Sequence, residues 1–235
     1  MKINTVHCFF EQSGTFKKAF EKYGIKAFDY DICDDFKQTD YVIDLFIEID
    51  KAYKGEKSVF DRISEDDLIF AFFPCVRFEN LILLHFKGNA LGVRDWSIEK
   101  KLEYDLGLFD QMAYLYGLVT KLVLVCLKRK LRLIIENPYS QDHCLHNYWA
   151  LEPTIIDFDR TFRGDWFKKP TQFFYVNCKP SYNFIFECAI NTEKKLVKHT
   201  YGVARSLISP VYADRFIREF VLDEEDIKND DKENN

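Results

Sequence analysis

Two short stretches of this chain combine residue types that do chemistry with a spacing that would expose them. The first is Asp67-Leu-Ile-Phe-Ala-Phe-Phe-Pro-Cys75, an apolar run that passes straight into a Pro-Cys turn. The second is Leu133-Ile-Ile-Glu136-Asn137-Pro138, a run of the same buried type ending in a carboxylate and an amide. Short apolar runs read as strands of a parallel sheet, and residues at their carboxyl ends stand at its open edge. A thiol there is a candidate nucleophile. A carboxyl desolvated at a strand tip has a raised pKa, which suits a group that shares or donates a proton. Cys75 follows a proline at a strand end, where a helix or loop amide would lower its pKa, and Arg77 is placed to help hold a thiolate. The other six cysteines (8, 33, 126, 144, 178 and 188) lack that setting. The competing readings are ordinary: a free cysteine is most often an inert buried thiol, and Asn-Pro is also a turn signal.

A third stretch, Phe10-Glu-Gln-Ser-Gly-Thr15, joins a first strand to a first helix and holds one glycine, Gly14. A pyrophosphate cradle wants several glycines so that backbone N–H groups can approach the phosphates, so a dinucleotide is disfavoured. A single glycine before a helix suits a smaller ligand, such as the amino-acid moiety of S-adenosyl-L-methionine. Asp31, closing a second strand, is placed to accept hydrogen bonds from ribose hydroxyls, and Asp44 to contact an adenine amino group. Both read equally as solvated carboxylates or helix caps. Arg160, Arg163, Lys168 and Lys169, interleaved with Phe162, Trp166 and Phe167, form either a solvated loop or a phosphate-contacting surface with aromatic support. His143-Cys144-Leu-His146 has no matching second cluster, so no metal site is expected.

The elements that must position these residues alternate. Strands are expected at Ile3–Phe10, Lys26–Ile32, Tyr41–Ile43, Leu68–Phe72, Leu131–Ile135, Thr154–Phe158 and Thr171–Asn177. Phe16, Ala19, Phe20 and Tyr23 form a helical stripe ended by Gly24. Helices are also expected over Leu45–Tyr53 and from Trp96 to about Lys130, the latter broken near Gly107 or Gly117; Ser209-Pro210 opens a last helix to Leu222. The pattern predicts one α/β domain over residues 1–222, a doubly wound, mostly parallel sheet with helices on both faces. Ligands of such sheets sit outside the carboxyl ends of the strands, near the switch point.

At 235 residues the chain can bury a sizeable core, and 23 Phe and 13 Tyr make that core aromatic. Residues 223–235 carry seven acids and two lysines, a charge of -5 that equals the net charge of the whole chain. This end reads as a solvated, disordered tail, and the near-neutral body neither demands nor excludes a nucleic acid. Seven scattered cysteines without a CxxC pair, and no secretory signal at the start, predict free thiols in the cytoplasm. The apolar segment Leu118–Leu127 is too short for a membrane span, so no membrane partner is expected.

Taken in order, these residues resemble the DNA cytosine-5 methyltransferase family, and most nearly its compact relatives from phage and prophage genomes. The matching segments are Phe10-Glu-Gln-Ser13-Gly14-Thr15-Phe16, Asp31-Ile32, Asp44-Leu45, Phe73-Pro74-Cys75, Glu136-Asn137-Pro138, Lys168-Lys169-Pro170-Thr171 and Arg205-Ser206-Leu-Ile-Ser-Pro210. The resemblance implies a Rossmann-like, S-adenosyl-L-methionine-dependent methyltransferase fold. It implies that Phe10, Ser13, Gly14, Thr15, Phe16, Asp31, Ile32, Asp44, Leu45 and Pro74 line the cofactor site. It implies DNA methylation of the kind found in restriction–modification: the Cys75 thiolate adds to carbon 6 of a flipped cytosine, Glu136 holds the ring, and Asn137 braces the cysteine loop. Arg77, Arg163, Lys168 and Lys169 would contact the nucleic acid. A second reading is a catalytically degenerate relative that binds S-adenosyl-L-methionine or nucleic acid in a regulatory role. It draws on Gln12 and Phe73, where many relatives carry glycine and proline. Only residues 139–169 separate Pro138 from Pro170, which leaves no space for a conventional target-recognition domain and points to a separate recognition subunit or to a different surface, such as residues 76–100. A third keeps the fold and the cysteine but takes a free pyrimidine nucleotide or RNA.

Overall fold

In a computed structural model, which describes residues 2–79, 82–186 and 207–227, the chain forms a seven-stranded, mostly parallel sheet flanked by helices. The strands are β1 (Thr5–Phe9), β2 (Lys26–Asp31), β3 (Tyr41–Val42), β4 (Leu68–Phe72), β5 (Arg132–Pro138), β6 (Ile155–Asp157) and β7 (Thr171–Val176). Their order across the sheet is 3-2-1-4-5-7-6, with β7 antiparallel to both of its neighbours. The first five positions follow the doubly wound order, so β1 and β4 are neighbours at the switch point. The last two strands close the sheet as an antiparallel hairpin because the link between them carries only a one-turn 3₁₀ helix, Arg160–Arg163, and no crossover helix.

The strands are apolar on both faces because both are covered. Along β4, Leu68 and Phe70 join one core with β1 residues Val6 and Cys8, while Ile69 and Ala71 join the opposite core. The first core is completed by α1 (Thr15–Glu21) and α6 (Pro210–Phe220). The second is completed by α2 (Leu45–Lys54) and the C-terminal half of α4 (Ile98–Arg129). Two short helices, α3 (Ile82–Phe86) and α5 (Cys144–Tyr148), lie beside the cysteine loop and after β5.

Three expectations change in detail. Helix α4 runs unbroken for 32 residues through Gly107 and Gly117. An isolated glycine costs a helix only about 1 kcal/mol, and Ser97, which accepts from the Lys100 N–H, starts this one firmly. It is long and apolar enough to cross a membrane by length and composition, and Leu115, Leu118, Val119, Leu122 and Cys126 on it are buried against the sheet core. Strand β1 stops at Phe9 because Phe10 turns to φ +60, the left-handed region. Strand β5 does not end before Glu136 but continues through Asn137 and Pro138, paired with Gln172 and Thr171 of β7. At the C-terminus, residues 224–227 form a helical turn, and residues 228–235 of the expected tail lie outside the described residues.

Candidate active site

The register of the central strands brings the two chemical stretches together. Phe72 on β4 pairs with Glu136 on β5, so the Phe73-Pro74-Cys75 turn leaves the sheet directly beside the carboxylate. A cleft of about 220 Å³ opens there, at the carboxyl ends of β1, β2, β4 and β5. Its walls include Phe10, Ser13, Thr15, Phe16, Asp31, Pro74, Cys75, Glu136 and Lys169, nine of the residues singled out in the sequence. Leu207 and Ile208 also line it; Arg205 and Ser206 of the same segment lie outside the described residues.

Asn137 is fully buried, and its Nδ2 donates to the Phe73 carbonyl at 2.8 Å and to the Glu136 carbonyl at 3.0 Å. It thereby pins the start of the cysteine loop to the neighbouring strand. Glu136 is 8% exposed, and its Oε1 is buried without a hydrogen-bond partner, 3.8 Å from the buried Arg160 guanidinium. Burial pushes the Glu136 pKa up, opposed by the positive charges of Lys169 and Arg160. Arg160 is itself held by Asp165, by Thr171 Oγ1 and by the face of Tyr212, whose hydroxyl donates to Asp157. Lys169 makes no ion pair among the described residues and adds a cation to the wall of the cleft.

The setting of Cys75 corrects the sequence expectation. Its thiol is not activated toward thiolate: burial and the Glu79 carboxylate, 3.0 Å away, both push its pKa up, with only Lys169 pulling down. Arg77 does not hold it, because Arg77 Nε donates to Gln111 at 2.8 Å.

At the other end of the cleft the glycine turn is shaped by Glu11, which the sequence reading did not single out. Its buried carboxylate accepts from the Phe16 N–H at 2.8 Å and the Lys17 N–H at 3.3 Å, capping α1 from within. Gly14 takes φ +64 at the start of that helix, where an added Cβ would stand 3.0 Å from Gln38 Oε1. Burial raises the Glu11 pKa to about 7, against the lowering effect of those two N–H donors. The helix N-terminus that takes a pyrophosphate in dinucleotide sites is therefore occupied by the protein's own carboxylate. Asp31 keeps one oxygen on the Cys33 N–H at 2.8 Å, and burial raises its pKa. Phe10, Phe16, Phe36 and Phe72 supply flat apolar surface around it. This donor set fits a ligand with hydroxyls, a flat ring and a positive charge, and does not fit a diphosphate.

Other expected residues fall away from the cleft. Asp44 is the N-cap of α2, accepting from the Phe46 and Ile47 N–H groups, and Leu45 is packed in the core at 2% exposure. Ile32 is exposed outside the cleft wall. Arg163 is turned inward to Asp157 and Glu219, so its charge is neutralised within the fold rather than offered to a phosphate. Lys168 stays exposed, near Asp159. His143 is buried and its pKa is pushed down to about 4 by burial; among the described residues no group of three or more His, Cys, Asp or Glu is arranged to hold a metal. The chain matches no protein-family model, and no curated protein matches it.

Proposed function

We propose that this protein is an S-adenosyl-L-methionine-dependent DNA (cytosine-5) methyltransferase, with Cys75 as nucleophile and Glu136 as the group that holds the target ring. The observation that carries the proposal is the convergence of a loop thiol, a buried strand carboxylate and a ribose-type aspartate, Asp31, on one cleft at the switch point. The ordered sequence resemblance supplies the substrate and the cofactor. When bound, S-adenosyl-L-methionine supplies a methyl group activated on a sulfonium. Ser13, Thr15 and Asp31 would hold its polar groups, with Phe10, Phe16 and Phe36 against its ring.

Cys75 Sγ adds to carbon 6 of a cytosine turned out of the duplex. Glu136, with its pKa raised by burial, carries the proton that ring nitrogen 3 accepts and takes a hydrogen bond from the exocyclic amine. Asn137 keeps the cysteine loop against β5 while the ring is held. Lys168 and Lys169 face the DNA backbone. Between Pro138 and Pro170 the chain has only α5, β6 and one 3₁₀ turn, which supports sequence recognition by a separate subunit.

The test is transfer of radiolabelled methyl from S-adenosyl-L-methionine to mixed genomic DNA, with Cys75→Ala alongside. Label recovered as 5-methylcytosine in the wild type and lost in the variant is expected. Undiminished transfer by Cys75→Ala refutes the nucleophile. Cofactor binding by calorimetry without any transfer favours the regulatory reading, toward which the upward push of burial and Glu79 on the Cys75 pKa also points.

A further inference from the structure

A second carboxylate lies against the candidate nucleophile. Glu79 follows Cys75 by four residues, in a turn closed by the Phe78 N–H donating to the Cys75 carbonyl at 2.8 Å. That turn sets Cys75 Sγ 3.0 Å from Glu79 Oε1, with the thiol donating. The charged groups facing the thiol are Glu79 from its own turn, Glu136 from β5 and Lys169 from the segment before β7. The cleft beside this pair is lined by Glu136, whose buried Oε1 has no hydrogen-bond partner and stands 3.8 Å from the Arg160 guanidinium.

We propose that Glu79 is a catalytic base that takes the Cys75 proton as sulfur attacks. The inference rests on the methyltransferase reading for the identity of the electrophile, carbon 6 of cytosine. As the Sγ–carbon 6 bond forms, the Sγ–H bond breaks and the proton passes to Glu79 Oε1, while the pair of the carbon 5–carbon 6 double bond moves to carbon 5. That pair forms the bond to the methyl group S-adenosyl-L-methionine would supply, and the methyl–sulfonium bond breaks to leave a neutral thioether; on release, the proton on carbon 5 leaves to water and its bonding pair re-forms the double bond. The carbon 6–Sγ bond breaks with its pair kept on sulfur, and the proton returns from Glu79. A half-buried thiol that donates to a carboxylate needs an acceptor for its proton at the moment of attack, and an adjacent base is one of the general ways to activate such a nucleophile.

The pH dependence of Cys75 alkylation by iodoacetamide tests this without any methyl transfer. Peptide mass spectrometry separates Cys75 from the other six of the seven cysteines. A thiol–carboxylate pair and a thiolate–carboxylic acid pair carry the same charge, so their ratio does not change with pH while the pair holds one proton. The wild-type rate is therefore expected to stay flat between about pH 6 and 8, and the Glu79→Gln rate to rise about tenfold per pH unit. Glu79→Asp, which keeps a carboxylate, is expected to restore the plateau. A wild-type profile as steep as that of Glu79→Gln overturns the proposal. Methyl transfer is expected to fall about 10²–10⁴-fold in Glu79→Gln. Transfer at the wild-type rate in that variant overturns the base alone, whereas a flat alkylation profile with no transfer to DNA supports the base and overturns the methyltransferase reading.

Discussion

Replacing Arg160 by Met should be the most destabilising single change near the cleft. Arg160 is 1% exposed and Asp165 has no exposed side-chain surface, so the pair is fully desolvated. Removing one partner of a buried ion pair costs about 3–5 kcal/mol because the other charge is left uncompensated. Two features put the expected loss at the lower end. Asp165 keeps the Trp166 and Ser209 N–H groups on its Oδ1, at 2.8 and 3.1 Å, so only its Oδ2 is orphaned. The methionine also fills much of the space over Tyr212. A loss of about 3 kcal/mol is a large part of the 5–15 kcal/mol that holds a domain together. It should lower the urea midpoint by about 1 M with the slope unchanged. Urea denaturation followed by the fluorescence of Trp149 and Trp166 reads this directly. If the cost is an uncompensated charge, Arg160→Met with Asp165→Asn should recover about 1–2 kcal/mol relative to Arg160→Met alone. A single variant within 1 kcal/mol of wild type, or a double variant no more stable than the single, would refute the reasoning.

Glu11→Gln tests the buried cap through pH. The folded-state pKa of Glu11, about 7, lies above the unfolded value of 4.5, so the folded state binds the proton more tightly and loses stability as pH rises between the two values. The shift corresponds to about 3 kcal/mol; the stability of Glu11→Gln relative to wild type should therefore climb between about pH 4.5 and 7.5, and a flat difference in thermal melts across that window would count against the raised pKa. Gly107→Ala sits on an exposed stretch of α4 where an added Cβ meets nothing within 4 Å. It should stabilise the protein by about 1 kcal/mol; no gain in the urea midpoint would mean that α4 is not a continuous helix in solution.

Parts of this arrangement were legible in the sequence because local and long-range signals agree there. Leu68–Phe72 is a strand in both readings, since a six-residue apolar run bounded by Asp67 and Pro74 has no competing helical period. Ser209-Pro210 opens α6 as read, with Ser209 accepting from the Tyr212 N–H. Asp44 shows where such signals divide: an aspartate before an apolar helical stretch looks the same whether it caps the helix or faces a ligand, and only the structure assigns it to the cap. The reading of Arg77 as thiolate partner failed for a related reason. Proximity in sequence does not fix where a long side chain goes, and Gln111, 34 residues away, takes its guanidinium. Glu79 leaves a trace in the sequence, an acid four residues after the cysteine. Glu11 left none, because the carboxylate works through backbone N–H groups that every helix start possesses.

The two jaws of the cleft are anchored very unequally, and this bears on how such a protein can be altered. Glu136 is laddered on both sides, to Phe72 and to Phe173, in the middle of the sheet. Cys75 and Glu79 ride together on a turn outside it, with Asn137 fastening its first residue. Replacements around residue 136 therefore test folding and chemistry at once. Replacements at Cys75 and Glu79 change nucleophilicity while leaving the strands untouched, whereas Phe78 between them is packed in the core. Reactivity on this scaffold is editable apart from stability, and inactive or altered forms can arise through the turn alone.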